Sequence, residues 1–182
     1  MRSSFKILTF IIITLCLFSF FTGCQSKPKD PMKMELETVN SVGVPPSTYI
    51  EVRGMPSYYD MVYTYFYEGD PNNITEIDDI YYPIMSERQY ELYQQALVER
   101  EDGQGFDLDI AKAKELGLTF RVFVRHKEST MAFVENPPKE DWVTYKGIAK
   151  SGKEIDVEAM DLIKTGEIGP LLANELVLIY ME

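Results

Sequence analysis

The chain has 182 residues and a formal net charge of −11, from 29 acidic side chains against 18 basic ones. A surface this acidic repels phosphate backbones, which excludes DNA or RNA as the natural partner. One histidine and two cysteines are too few for a metal site built from those ligands, and no cofactor is implied.

Arg2 and Lys6 open the chain, and the stretch from Ile7 to Gly23 then carries no charge. A basic start followed by an apolar block is the pattern of an export signal. The block falls short of the roughly 20 residues that span a bilayer as a permanent helix. Residues 1–23 therefore read as a signal peptide, with Cys16 inside it. Phe21-Thr22-Gly23-Cys24 closes the block. That tetrapeptide resembles the lipobox of bacterial lipoproteins, in which an aliphatic residue, a small residue and Gly or Ala precede a cysteine. Phe21 stands where Leu is usual. The resemblance covers only the first 24 residues. It implies that the Cys24 thiol receives a diacylglyceryl group, that the signal is cut before it, and that the new N-terminus is acylated. Two or three fatty chains hold firmly where one binds only marginally. The expected location is the cell envelope, with the chain facing the periplasm or the exterior. Gln25 is compatible with an outer membrane, in a cell that has one.

Without Arg2 and Lys6, 16 basic residues face 29 acidic ones, a net of −13 over about 159 residues. Such a domain repels anionic headgroups, so its membrane partnership is expected to run through the lipid anchor. No cysteine pair is left for a disulfide, so core packing alone must hold the domain together. Residues 25–46 are polar and broken by prolines. With Cys24 they read as a lipidated residue and flexible tether, 24–46, ahead of one globular domain, 47–182.

Within that domain, "TYIEVRG" (48–54) and "MVYTYFYEG" (61–69) read as strands. Asp70-Pro71-Asn72-Asn73 has turn chemistry. "IYYPIM" (80–85) is a third strand, and Pro83 predicts an edge or a bulge because it has no N–H to give a ladder. Ser86 and Gln89 form a capping-box pattern ahead of Tyr90, Tyr93 and Leu97, spaced as one helical face. Gly103 and Gly105 end that element. A second helix is expected with Asp107 as its cap, Ile110 and Ala113 inward and Gly117 as its stop. "LTFRVFVRHK" (118–127) alternates Leu118, Phe120, Val122, Val124 and His126 against Thr119, Arg121, Phe123, Arg125 and Lys127. "MAFVE" (131–135) is expected to return as its hairpin partner. "WVTYKGIA" (142–149) is a strand with a bulge or bend at Gly147, and a short helix runs from about Asp156 to Lys164. "ELVLIYME" ends the sequence as a strand, and its unbroken Leu176–Tyr180 run predicts burial on both faces. The expected fold class is α+β: a curved, mostly antiparallel sheet or small OB-like β-barrel with two or three helices.

Chemistry is sparse. His126 is in phase with an apolar face, which suits a core histidine better than a catalytic one. Neither "EGDPNNITEIDD" (68–79) nor "EREDGQGFDLD" (99–109) keeps the spacing of a calcium loop. Gly103-Gln104-Gly105 lacks the third glycine and the preceding strand of a phosphate-cradling loop. Two anomalies remain. Nine of the twelve tyrosines lie between Tyr58 and Tyr93. Tyrosine gives contact area at low entropy cost, so Tyr63, Tyr65 and Tyr67 form a candidate binding surface. Such residues also fill ordinary half-exposed sheets. The basic row Arg121, Arg125 and Lys127 either holds an anionic ligand or neutralises carboxylates on neighbouring strands. The expected function is a lipid-anchored domain that binds or scaffolds an envelope protein or a cell-wall glycan. The alternatives are a carboxylate-dependent hydrolase acting on an envelope substrate and a structural subunit of an envelope complex.

Overall fold

The structure, a computed structural model, describes residues 30–67, 74–126 and 131–181. The expected signal, Cys24, residues 25–29, the 70–73 turn and Lys127 lie outside the described residues. Along the chain run β1 (Met32–Lys33), α1 (Leu36–Val42), β2 (Tyr49–Pro56), β3 (Val62–Tyr67) and β4 (Ile74–Met85). Next come α2 (Glu87–Ala96), β5 (Leu97–Glu99), β6 (Phe106–Leu108), α3 (Ile110–Glu115) and β7 (Phe120–His126). The chain ends with α4 (Met131–Glu135), β8 (Val143–Ser151), α5 (Val157–Thr165) and β9 (Leu172–Met181). The fold is α+β with a mostly antiparallel, mixed sheet. Among the described residues there are five α-helices rather than two or three.

Seven strands form one sheet in the order β1-β2-β8-β9-β7-β4-β3. A further pairing, Met55 with Met85 and Pro56 with Ile84, joins β2 to β4. The strands β2, β8, β9, β7 and β4 thereby bond in a ring, with β1 and β3 attached outside it. Among the described residues, only β7–β9 and β1–β2 are parallel. Because β8 and β4 run against the other three, β2, β7 and β9 begin at one end of the ring, where β8 and β4 finish.

One buried cluster takes side chains from every ring strand, among them Val52, Ile84, Val124, Tyr145 and Ile179. Leu36 and Val39 of α1 complete it. The opposite faces of the strands carry Tyr81, Phe120, Phe123 and Leu178, which meet Ala96, Ala113, Ala159 and Ile163 of the helices. The Leu176–Tyr180 run behaves as predicted: Val177 and Ile179 join one cluster and Leu178 the other.

Several local signals act as expected. Ser86 and Gln89 close a full capping box on α2. Gly117 stops α3 at φ +76°, a backbone state that favours glycine. The helix expected from about Asp156 forms as α5, and the structure adds that Asp156 caps it by accepting from Glu158 N at 2.8 Å.

Other elements depart from expectation. The spacer predicted over 25–46 is folded from Asp30 onward: β1 pairs with β2, and α1 buries Leu36 and Val39. Two apolar residues three apart are too short a pattern to announce a helix; burial against the ring makes it one. The segment 131–135 is helix rather than a returning strand. Its Phe133 and Val134 pack on the ring cluster, and a run of four apolar residues has no period to distinguish the two states. Asp109, not Asp107, caps α3, by accepting from Lys112 N at 3.0 Å; Asp107 belongs to β6. Gly103 and Gly105 connect β5 to β6, and α2 already ends at Ala96.

Pro83 lies inside the sheet rather than at an edge, beside Phe123 of β7. Its carbonyl accepts from Ser57 N at 3.0 Å. The N and carbonyl of one strand residue point to the same side, so the missing donor faces Ser57, where the β2–β4 pairing ends and only the reciprocal of that one bond is lost. Gly147 makes no register break with either neighbour. Its glycine serves close approach: a Cβ there would stand 2.1 Å from the Tyr180 carbonyl oxygen.

Candidate functional site

The largest departure concerns the basic row. The register of β7 on β9 shifts between Phe120 and Val122. This irregularity breaks the simple alternation, so Phe120 and Phe123 share the helix-side cluster while Val122 and Val124 turn to the ring cluster. Arg121 and Arg125 consequently part company. Arg121 reaches α1, where Nη1 donates to the carbonyl of Asn40 at 2.7 Å, and Nη2 lies 3.5 Å from Glu175. Those carbonyls sit at the negative end of a helix, where a cation is stabilising. Arg125 lies on the helix side. Its Nε donates to Asp79 Oδ1 at 2.6 Å and its Nη2 to the other oxygen, while the guanidinium stacks 4.5 Å from the Tyr180 ring centroid. The hydrogen-bonded Asp79 carboxylate holds that guanidinium charged well above its ordinary range, against the opposing effect of burial. The two arginines form no shared anion site; each bonds a neighbouring segment.

The tyrosines divide by depth. Tyr81 and Tyr82 are fully buried. Tyr58, Tyr82, Tyr145 and Phe133 form an aromatic plug in the ring cluster, with ring centroids 5.0 Å apart for Tyr58–Tyr82 and 5.6 Å for Tyr58–Phe133. Burial drives the Tyr82 and Tyr145 hydroxyls far above the usual phenol range. They stay neutral at any physiological pH, so their work is packing rather than proton transfer. Tyr90 and Tyr93 pack from α2 onto the helix-side cluster. Among the tyrosines whose side chains are described, those that remain outward are Tyr59 (66% exposed) and Tyr65 (42%), with half-buried Tyr63 beside Tyr65 at 6.2 Å between ring centroids. Tyr63, Tyr65 and Tyr67 all belong to β3, the edge strand, which pairs only with β4 among the described residues. Register shifts at Thr64/Tyr65 and Phe66/Tyr67 twist that edge, a device that limits indiscriminate pairing.

Two features escape sequence reasoning. Three carboxylates, Asp60, Glu140 and Glu167, come from separate loops to one region around Tyr93. Ser57 Oγ donates to Asp60 at 2.6 Å, Tyr58 N to Glu140 at 3.3 Å, and Leu108 N to Glu167 at 3.2 Å. Burial pushes the Asp60 carboxyl up to about 6, with Glu167 and Glu140 adding to the rise; burial also raises Glu140. No spacing in the sequence announces this convergence, because it is made by three unrelated loops. The second feature is a groove of about 1110 Å³ where β2, β7 and β9 begin. Its walls include Val42, Arg121, Lys150, Lys153, Val157 and Lys164.

Among the described residues, no group of three His, Cys, Asp or Glu side chains is placed to hold a metal ion, and no helix is long and apolar enough to cross a membrane. No protein-family model matches the chain, and comparison with curated proteins and with solved structures gives no match.

Proposed function

We propose that this chain is a lipid-anchored binding domain of the cell envelope, built on a small OB-like barrel, whose partner is another envelope protein. The circuit of five strands, with the last one slotted between the third and the fourth, supports that layout. In such a barrel the face of the second and third strands is the usual binding face. Here those strands are β4 and β7, and Tyr81 and Phe123 on their outer face are buried. That leaves the hairpin of β3 and β4. A free edge strand offers main-chain donors and acceptors to an incoming strand, and side chains on alternate positions give selectivity. The observation that carries the reading is β3 itself: an edge strand with Tyr63 and Tyr65 side by side, and with exposed Tyr59 just before it.

Crosslinking in intact cells, read by mass spectrometry, tests it. Replacing Tyr59 and Tyr65 with Ser removes the crosslinked partner while urea unfolding stays cooperative. An unchanged set of crosslinks rejects the reading. Competition by soluble wall fragments, with crosslinks only to glycan, replaces the protein partner with a cell-wall glycan.

The hydrolase alternative has one observation in its favour, the convergence of Asp60, Glu140 and Glu167 with a raised carboxyl among them. A pair of acids with separated pKa values is the usual equipment for glycoside cleavage. Each carboxylate here also ties a loop through a serine hydroxyl or a backbone N–H, which accounts for the cluster without catalysis. Release of reducing ends from purified wall material by the intact chain, lost in Asp60→Asn, decides for the hydrolase.

A further inference from the structure

We propose that the groove face is the side of the domain that lies on the membrane, with Lys153 and Lys164 set against anionic lipid headgroups; this rests on the acylation of Cys24 proposed above. Three independent observations converge on it.

The first is reach. The described residues begin at Asp30, and five residues, 25–29, stand between it and Cys24. Six chain steps reach at most about 20 Å. A domain of this size is roughly 40 Å across. An acylated Cys24 therefore keeps one face of the domain beside the headgroups.

The second is direction. β1 runs parallel to β2, with Met32 opposite Ile50. Asp30 therefore enters level with Thr48, two residues past Pro46 in the groove wall. Lys150 and Ser151, at the finish of β8, belong to the same wall. The tether and the groove share one end of the ring.

The third is surface chemistry. The groove wall holds four cations, Arg121, Lys150, Lys153 and Lys164, against two carboxylates, Asp161 and Glu175, in a chain that is otherwise strongly acidic. Arg121 is engaged with Glu175 and Lys150 with Glu154. Lys153 and Lys164 have no ion-pair partner among the described residues and are exposed. Beside them stand Val42, 79% exposed, and Val157, 75% exposed. Lysines flanking outward apolar side chains are the composition of an interfacial contact. An anionic leaflet attracts charges within about a Debye length, roughly 8 to 10 Å, and repels the acidic remainder of the domain. The effect is orientation: the anchor supplies the affinity, and the lysines select which face turns down.

The test uses the mature lipidated protein reconstituted into vesicles of mixed phosphatidylcholine and phosphatidylglycerol. An environment-sensitive fluorophore is placed at Val157→Cys or, as the control, at Tyr59→Cys, and quenched by headgroup-labelled lipid. The proposal predicts quenching at 157 several-fold stronger than at 59. Lys153→Glu with Lys164→Glu, or vesicles of phosphatidylcholine alone, should bring the two toward equality, with the circular dichroism unchanged. Equal quenching at both positions in the unaltered domain, with Cys24 acylated by mass spectrometry, overturns the facing proposal and leaves the anchor standing. An unmodified Cys24 overturns the anchor and with it the reach argument. Loss of the contact at 157 on adding stoichiometric polyglutamate assigns the groove to an acidic polypeptide and also overturns the proposal.

Discussion

The ring of strands presents different chemistry at its two ends. Where β2, β7 and β9 begin, α1 lies across it, the chain enters at Asp30, and Lys150, Lys153 and Lys164 edge a groove. Where β7 and β9 finish, Tyr58 and Phe133 close it, His126 stacks edge-on against Phe133 at 5.5 Å, and the β3–β4 hairpin carries Tyr65 outward beside half-buried Tyr63. The ring interior is apolar throughout and says nothing about direction. Polarity comes from the segments laid over its ends, and those segments differ in charge, in aromatic content and in distance from the tether. Under the proposed anchoring at Cys24, such a difference would let one face meet a membrane and the other a partner.

The comparison can be broken at its joint. Gly147→Ala drives a Cβ into the Tyr180 carbonyl, and backbone cannot yield as a flexible side chain does. The seam between β8 and β9, which ties the two ends together, should lose about 3 kcal/mol or more in urea unfolding. A loss under about 1 kcal/mol would show the seam is looser than described. Leu36→Ala, at the tether end, empties a buried site against Gly54 and Ile84 and should cost about 3 kcal/mol. A tether without structure would tolerate it with no change in midpoint.

At the other end, Asp60 gives a pH signature. Its folded carboxyl titrates near 6, raised by burial, against an ordinary value of 3.8. The folded state thus binds the proton more tightly than the unfolded one, and stability falls as pH rises from about 4 to about 6, then levels. The shift corresponds to roughly 2–3 kcal/mol. Asp60→Asn keeps an acceptor for Ser57, flattens that slope and raises stability at neutral pH. A slope unaltered by the substitution would assign the titration elsewhere. The smallest effect is expected for Tyr59→Ser and Tyr65→Ser, each within about 0.5 kcal/mol by urea unfolding because both side chains are exposed. Their cost should appear in partner crosslinks alone.

Much of the scaffold was legible from sequence. The strands of the ring announced themselves by β-branched and aromatic runs, and Ser86–Gln89, Asp156 and Gly117 marked helix boundaries by local chemistry that needs no tertiary context. What escaped was set by tertiary packing. Leu36 and Val39 gain their helix from the ring they cover. The shift near Arg121 leaves no mark in the residues, yet it sends Arg121 and Arg125 to different surroundings. The tyrosine count was visible, but not its division into plug and edge. Asp60, Glu140 and Glu167 meet only because three loops close on α2.

Site-specific photo-crosslinking in intact cells tests the two-ended account most directly. A benzophenone side chain is placed at Val157 in one strain and at Tyr65 in another. The account predicts lipid adducts at 157 and polypeptide adducts at 65. The same class of adduct at both positions, or the two exchanged, contradicts it.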